Sequence, residues 1–161
     1  MKIRKASNND LLQLTELIIE FKEELTDFVP DELKLFRVKK NPSNSIKKSV
    51  KEDIDNSNGL FIVIENEEKL VGFAFGTINN TKHVIFEPVK YGMLNDIWIS
   101  KDYRGKGLSS KCKDELFAWF KKNNCNYINL SVLDANNAKH IYKKWGFKTV
   151  LNTMVKFTDF E

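Results

Sequence analysis

Apolar residues recur every three or four positions in several stretches of the chain, and this period predicts helices. The first such stretch follows the helix-start signal Ser7 to Asp10 and ends before Pro30. Its predicted buried face consists of Leu11, Leu14, Leu17, Ile18, Phe21, Leu25 and Phe28. A later helix carries one apolar stripe formed by Leu108, Cys112, Leu116 and Phe120. Two more helices are predicted over residues 45–56 and 136–145.

Alternating or continuous apolar runs elsewhere in the chain predict strands. These are residues 2–6, a hairpin formed by 60–65 and 69–78, a strand over 93–99, a strand over 127–133, and a final hairpin formed by 146–151 and 153–158. A short strand is also predicted from Val84 to Phe86. Gly72 and Gly76 lie inside a predicted strand and indicate a bulge or the close approach of another backbone. The predicted order is β-α-α-β-β-β-α-β-α-β-β, a mixed α/β domain without the regular alternation of a doubly wound fold.

Length and composition favour a single domain over residues 1–161. No apolar run approaches the roughly 18 to 20 residues that a membrane-spanning helix needs. The first residues also lack an apolar signal segment, so we expect a cytoplasmic location. The formal net charge is +4, but the lysines are scattered along the chain. Scattered lysines favour a solvated basic surface over a nucleic-acid-binding face.

The two cysteines and two histidines of the chain do not have the spacing of a metal site. Cys112 lies on the apolar stripe of a predicted helix, and Cys125 lies in a polar turn. We therefore expect free thiols, no bound metal, and no cysteine acting as a covalent nucleophile.

Residues 102–110, which read DYRGKGLSS, join a predicted strand to a predicted helix. Glycine lets the main chain approach a ligand closely, and main-chain N–H groups at the start of a helix attract anions. The loop does not match a Walker A sequence, because Ser100 stands where its first glycine belongs and Gly107 where its serine or threonine belongs. It also departs from the dinucleotide fingerprint, whose third glycine falls on Ser110.

Two motifs of the chain together resemble those of the GNAT superfamily of N-acetyltransferases. The first runs from Arg104 to Ser109 and reads RGKGLS, with serine where the family more often has glycine or alanine. The second runs from Ala138 to Phe147 and reads AKHIYKKWGF. The predicted element order is also that of the family fold, a mostly antiparallel twisted sheet flanked by helices. The resemblance therefore covers essentially the whole chain.

The resemblance implies acetyl coenzyme A as co-substrate. Its pyrophosphate is expected on main-chain amides of the loop, and its pantetheine arm beside the strand that precedes the loop. The implied binding residues are Ile97, Trp98, Ile99, Arg104, Gly105, Lys106, Gly107, Leu108, Ser109, Ser110 and Asn136. Asn136 stands one position after the place where the family often has asparagine, which here is Ala135.

The resemblance also implies direct acetyl transfer to an amine within a ternary complex. It places the proton donor for the departing thiolate at Tyr142. Many family members have a glutamate where this chain has Asn95, so the base is open. The adjacent Asp96 is expected to act as a base through water, to orient a cationic amine, or to form a structural hydrogen bond.

The expected acceptor is a primary amine of a small polyamine, amino acid, amino sugar or peptide, and a homodimer is expected from the family. Two other functions remain open at this point. The first is a catalytically inactive coenzyme-binding module, which would fit Asn95 in the place of an acid. The second is a basic nucleic-acid-binding domain.

Overall fold

The computed structural model describes residues 1–31, 33 and 43–156. Its described residues form a five-stranded sheet whose order in space follows the order in the chain. The strands are β1 (Lys2–Lys5), β2 (Gly59–Asn66), β3 (Lys69–Asn80), β4 (Lys90–Ile99) and β5 (Tyr127–Asn129). The helices are α1 (Leu11–Thr26), α2 (Ser43–Asp55), α3 (Leu108–Lys122) and α4 (Ala138–Lys144). The first four strands are antiparallel, and β5 runs parallel to β4. The predicted mixed α/β fold is confirmed.

The chain divides into two compact units, residues 1–131 and 132–161. The first contains the sheet and α1 to α3, and the second contains α4. Among the described residues, no helix is both long and apolar enough to cross a membrane.

Helices α1 and α2 cover one face of the sheet with a core rich in aromatic rings. Phe73 lies near its centre, with its ring centroid 5.7 Å from that of Phe21 and 6.1 Å from that of Trp98. Phe61 and Phe75 stack at 5.0 Å. Burying a side chain of this size contributes about 1.5–3 kcal/mol. The helical period that predicted a buried face on α1 therefore describes the main core of the first unit.

Helix α3 covers the opposite face with the apolar stripe that its sequence predicts. Leu108, Cys112, Leu116 and Phe120 are all buried. A Cβ atom on Gly92 would lie 2.5 Å from the ring of Phe120, and one on Gly76 would lie 2.7 Å from it. A Cβ on Gly72 would likewise lie 2.8 Å from the main-chain oxygen of Trp98. A Cβ on Gly76 would also lie 3.2 Å from the main-chain oxygen of Met93, so the close approach of another backbone that was predicted at both glycines is confirmed.

Several predicted strands differ from those in the structure. Residues 84–86 form no strand, and Val84 is fully exposed, so this short apolar run has no sheet neighbour. Strand β5 ends at Asn129 rather than at residue 133. The predicted final hairpin is also wrong over its described part, because residues 146–156 contain no strand and Met154 is 92 % exposed. The remainder of that hairpin and most of the predicted loop 30–44 lie outside the described residues.

The described part of the second unit, residues 132–156, holds one short helix between two turns. The side-chain oxygen of Asn136 accepts a hydrogen bond of 2.8 Å from the main-chain N–H of Ala138, where α4 begins. Lys139, in the first turn, forms an ion pair with Asp134. Gly146 follows the helix with φ +91°, a left-handed conformation that glycine adopts without strain.

Candidate functional site

The loop between β4 and α3 has two glycines in left-handed conformation. The chain leaves β4, makes a 3-10 turn over Lys101–Tyr103, and reaches α3 through Gly105 at φ +76° and Gly107 at φ +71°. A Cβ atom built on either glycine would meet no atom within 4 Å. The two glycines are therefore required by the main-chain conformation, and the space beside them is open.

The main chain of this loop presents N–H groups without acceptors. No main-chain hydrogen bond among the described residues uses an N–H of residues 105–110 as donor, and the first to be used is that of Lys111, which donates to the oxygen of Gly107 at 3.2 Å. Ser109 and Ser110 lie half-buried in the first turn of α3, and Leu108 is buried. Unpaired N–H groups and the positive end of the helix dipole together favour an anion here.

The cationic side chains of the loop hold its conformation from within. Arg104 donates through Nε to the main-chain oxygen of Ile99 at 2.8 Å. Its two terminal nitrogens donate to the carboxylate of Glu24 at 2.9 and 2.7 Å. Lys106 donates to the main-chain oxygen of Asp102 at 3.2 Å. Recognition of an anion therefore falls mainly to the main chain of the loop.

Glu24 of α1 is a site residue that the sequence analysis missed. Besides Arg104, it binds the indole N–H of Trp98 at 2.9 Å, so a single carboxylate ties α1 to the end of β4 and to the loop. The hydrogen bonds from Arg104 hold the pKa of Glu24 below its ordinary value, which keeps the carboxylate charged. In the sequence, Glu24 is only a polar residue beside the apolar stripe of α1, and nothing there signals its partners.

Strand β4 lacks a partner along part of one edge. It pairs with β5 only over Tyr91 to Met93, so the edge from Leu94 to Ile99 faces no strand within the described residues. Beyond the pairing, the main-chain N–H of Ser100 donates to the oxygen of Val71 at 2.9 Å.

Paired residues of antiparallel strands alternate in the direction of their main-chain groups. Ser100 hydrogen-bonds to β3, so Trp98, two residues earlier and on β4, also directs its main-chain N–H and oxygen towards β3. The main-chain groups of Ile97 and Ile99 are directed towards the unpaired edge, where Arg104 already binds the oxygen of Ile99. The edge thus offers the N–H and oxygen of Ile97 and the N–H of Ile99 to an extended ligand.

A bulge in β4 places two polar side chains on the same face of the sheet. Phe75 lies opposite Asp96 and Gly76 opposite Leu94, so Asn95 is an extra residue. Its side-chain oxygen accepts a hydrogen bond of 3.0 Å from Thr77. Because the Cβ position of Gly76 faces α3, Thr77 and its partner Asn95 lie on the face covered by α1 and α2.

Asp96 lies on that face as well. It pairs with Lys22 of α1, with Nζ and Oδ1 3.0 Å apart. Regular alternation would have turned Asn95 and Asp96 to opposite faces, and the bulge changes this.

Asp53 of α2 is a second candidate residue that the sequence analysis missed. Its carboxyl group is half-buried and makes no hydrogen bond or ion pair within the described part of the chain. Burial, and then the negative charges of Asp96 and Glu52, raise the pKa of Asp53 to about 6. In the sequence, Asp53 is one of several charged residues on a largely polar helix, so no pattern singles it out.

The two predicted site residues of the second unit are Asn136 and Tyr142. Asn136 is half-buried and binds the start of α4 through its side-chain oxygen. Tyr142 is half-buried on α4, with its ring 5.6 Å from that of Trp145 and 6.2 Å from that of Phe147. Their roles stay predictions.

Comparison with known proteins identifies one matching family and several solved structures that have the same fold. The model of the acetyltransferase (GNAT) family matches residues 20–147. A tetramutant of the BH1408 protein from Bacillus halodurans has 20 % identity and a TM-score of 0.85, with 98 % of this chain and 100 % of that one covered. No curated protein matches the sequence.

Two further solved structures share the fold at lower identity. An aminoglycoside antibiotic 6'-N-acetyltransferase from Acinetobacter haemolyticus has 14 % identity and a TM-score of 0.74, with both chains fully covered. A predicted acetyltransferase with acetyl-CoA from Clostridium acetobutylicum has 16 % identity and a TM-score of 0.71, with 98 % of this chain and 95 % of that one covered.

Proposed function

The chain belongs to the acetyltransferase (GNAT) family and is an acyltransferase, and from this premise we propose that it transfers the acetyl group of acetyl coenzyme A to a primary amine. The observation that carries the proposal is the loop after β4, where unpaired N–H groups lie next to open space and to an unpaired strand edge. This combination suits a ligand with a diphosphate at one end and an extended amide-bearing arm at the other.

The residues present fit this co-substrate. N–H groups from Gly105 to Ser110 would hold the pyrophosphate, with the hydroxyls of Ser109 and Ser110 as further donors. The N–H of Arg104 already donates to Lys101, so its contribution is the side chain that fixes the loop. The main-chain groups of Ile97 and Ile99 would pair with the pantetheine arm, and Asn136 would add a contact through its side-chain amide nitrogen.

Acetyl transfer needs an uncharged amine, stabilisation of the oxyanion that forms, and a proton for the departing thiolate. The N–H of Ile97 is suited to the oxyanion, because it lies on the unpaired edge beside the bulge. Tyr142 would donate the proton to the thiolate. A phenol keeps its proton at neutral pH. It can give that proton to the thiolate of the coenzyme as the thiolate departs.

The cysteines support direct transfer without an acyl-enzyme intermediate. Burial raises the pKa of the Cys112 thiol to about 12, so this residue does not provide a thiolate at neutral pH. Burial also raises the pKa of Cys125. We therefore propose a ternary complex in which the amine attacks the thioester itself.

The proposed acceptors are amines of small polyamines, amino acids, amino sugars or peptides. Proteins of the same fold include the aminoglycoside acetyltransferase, whose acceptor carries amino groups on sugars. Asp96 lies on the face of the sheet under α1 and α2, where it pairs with Lys22, and the further negative charge of Asp53 on α2 favours a cationic acceptor. A homodimer and a cytoplasmic location remain predictions from the family and from the sequence.

Calorimetry and a thiol-release assay test the proposed function together. We expect acetyl coenzyme A to bind and to release free thiol only when an amine from a panel of polyamines, amino sugars and amino acids is added. Well-folded protein with no affinity for acetyl coenzyme A would contradict the proposal. Binding without amine-dependent thiol release would favour an inactive coenzyme-binding module. Steeply salt-dependent binding to DNA or RNA would favour the nucleic-acid function.

Glu24→Gln is expected to raise the KM for acetyl coenzyme A about fivefold to tenfold, with a smaller change in kcat. The amide cannot accept both hydrogen bonds from Arg104 as the carboxylate does, so the loop loses its tie to α1. Steady-state kinetics with varied acetyl coenzyme A measure the effect. Glu20→Gln, an exposed position one turn earlier on α1, is the matched control. Equal KM values for the two variants would show that Glu24 does not position the loop.

A further inference from the structure

The carboxyl group of Asp53 differs from the other half-buried or buried acids of the first unit in having no donor. Asp10 shows the usual arrangement: it receives two hydrogen bonds of 2.8 Å from Arg4 and one of 2.7 Å from the N–H of Ser7. These contacts lower the pKa of Asp10 to about 2. Asp53 has no such contact within the described residues, although burial makes an unpaired carboxylate costly.

Among the described charged groups around Asp53, none forms an ion pair with its carboxylate. Asp53 interacts electrostatically with Asp96 of β4, with Glu52, its neighbour on α2, and with Lys22 of α1. Lys22 is the nearby cation, but its ammonium lies 3.0 Å from Asp96 and 4.6 Å from the centre of the Phe21 ring. The Lys22–Asp96 pair is therefore neutral as a whole, and the charge of Asp53 has no counter-ion among the residues that the structure describes.

We propose that Asp53 binds the ammonium group of the acceptor and takes its proton before acetyl transfer. This inference rests on the proposed function. A cationic group beside Asp53 supplies the donor that the carboxylate lacks, so binding of the acceptor relieves the cost of its burial. Asp96, the neighbour of Asp53, is adjacent in sequence to Asn95 and Ile97. Asp53 is thereby placed on the same side of the sheet as the β4 bulge.

The proton balance of the proposed step is simple. The ammonium R–NH3⁺ gives one proton to a carboxylate oxygen of Asp53 and becomes the neutral amine R–NH2. The amine attacks the thioester carbon, and the C–S bond breaks with its electron pair on sulfur. Nitrogen loses its second proton to water, and the acid that gave a proton to the thiolate regains one from water. Asp53 then releases its proton to water, and the net products are the amide, the thiol and one proton.

The energetics suit a base rather than a structural acid. A carboxyl group whose pKa is about 6 is ionised at neutral pH, yet it is a stronger base than an ordinary aspartate. Asp96 is already paired with Lys22, so it is better suited to orient the acceptor. Because the folded state raises the pKa of Asp53, ionising it lowers stability as the pH rises from about 4 to about 6. A carboxylate that stabilises the fold through hydrogen bonds has a lowered pKa, and its ionisation raises stability as the pH rises.

The test compares Asp53→Asn, Asp53→Glu and the matched control Asp55→Asn, an exposed acid two residues away on α2. Spermidine, kanamycin, glucosamine 6-phosphate and lysine serve as probe acceptors, and the best of them is used for kinetics. We expect Asp53→Asn to lower kcat/KM at pH 7 at least roughly tenfold and to abolish the activity rise near pH 6. Its affinity for acetyl coenzyme A should not change, and its unfolding temperature at pH 8 should rise. Asp53→Glu should keep part of the activity and the rise with pH, and Asp55→Asn should keep both.

The outcomes separate this inference from the proposed function on which it rests. If the wild-type protein acetylates a probe amine and Asp53→Asn matches it in rate and pH profile, Asp53 is not the base and the acetyltransferase proposal stands. A lower unfolding temperature for Asp53→Asn, with an unchanged pH profile, assigns Asp53 a structural role and also overturns the inference. If the wild-type protein binds acetyl coenzyme A but acetylates none of the probes, both proposals are overturned.

Discussion

Gly107→Val is expected to weaken the binding of acetyl coenzyme A roughly one hundredfold or more, which corresponds to about 2.7 kcal/mol. Gly107 has φ +71° and ψ 10° at the start of α3, a conformation that costs an L-residue about 1–2 kcal/mol and a β-branched one more. Valine can relieve this strain only by changing the shape of the loop, which turns the N–H groups away from a common centre. Its side chain would also occupy the open space beside the loop. Calorimetric titration with acetyl coenzyme A measures the loss.

Gly146→Val is the strain-matched control for this prediction. Gly146 also has positive φ, at +91°, and a Cβ built on it also meets no atom within 4 Å. Both variants should therefore lose similar stability in thermal unfolding, while Gly146→Val keeps its affinity for acetyl coenzyme A. Equal affinities of the two variants for acetyl coenzyme A would show that the loop does not bind it.

The sequence predicts the parts of this fold whose environment is uniform along an element. Helix α3 contacts the sheet along one side, so its stripe from Leu108 to Phe120 repeats every four residues and could be found by period alone. The hairpin of β2 and β3 was predicted for the same reason, with Glu67 and Glu68 forming its turn at positive φ. The glycine loop was found because its two left-handed residues require glycine, which leaves a visible mark in the sequence.

The incorrect strands show the limit of that approach. Residues 84–86 and the region from Gly146 to Val155 are rich in apolar residues, but a strand also needs a neighbouring strand edge to pair with. The period of one segment says nothing about its partner. Strand β5 ends early for a related reason, because its pairing with β4 stops at Met93 and the β4 bulge follows two residues later.

The site residues that the sequence could not indicate depend on contacts between distant segments. Glu24 and Arg104 are 80 positions apart, and Lys22 and Asp96 are 74 apart. Each acid looks like an ordinary surface residue in the sequence. The bulge at Asn95 also has no sequence signature of its own, yet it decides that Asn95 and Asp96 share the face under α1 and α2. Motifs therefore indicated the proposed coenzyme site, whereas the proposed acceptor side depends on contacts that only the structure gives.

Tyr142→Phe is expected to lower kcat roughly tenfold or more, while the affinity for acetyl coenzyme A stays almost unchanged. Phenylalanine keeps the ring that contacts Trp145 and Phe147, so the ring packing on α4 should be retained. It removes the hydroxyl that we propose as proton donor to the thiolate. Without that proton the thiolate leaves as a free ion, and the tetrahedral intermediate returns more often to the amine and the thioester. Rapid-quench measurement of one turnover separates this chemical step from the release of products.

The pH profile makes the role of Tyr142 distinguishable from a structural one. A general acid must be protonated, so the wild-type rate should fall at high pH and the fall should be absent in Tyr142→Phe. Tyr127→Phe is the matched control, because the substitution removes the same hydroxyl from a tyrosine of strand β5 whose ring stacks on that of Tyr91 at 5.2 Å. That variant should keep both the rate and the profile. If Tyr142→Phe retains the wild-type rate and its decline at high pH, the departing thiolate takes its proton from another donor, because a phenol that contributes nothing to the rate cannot be the acid of the slow step.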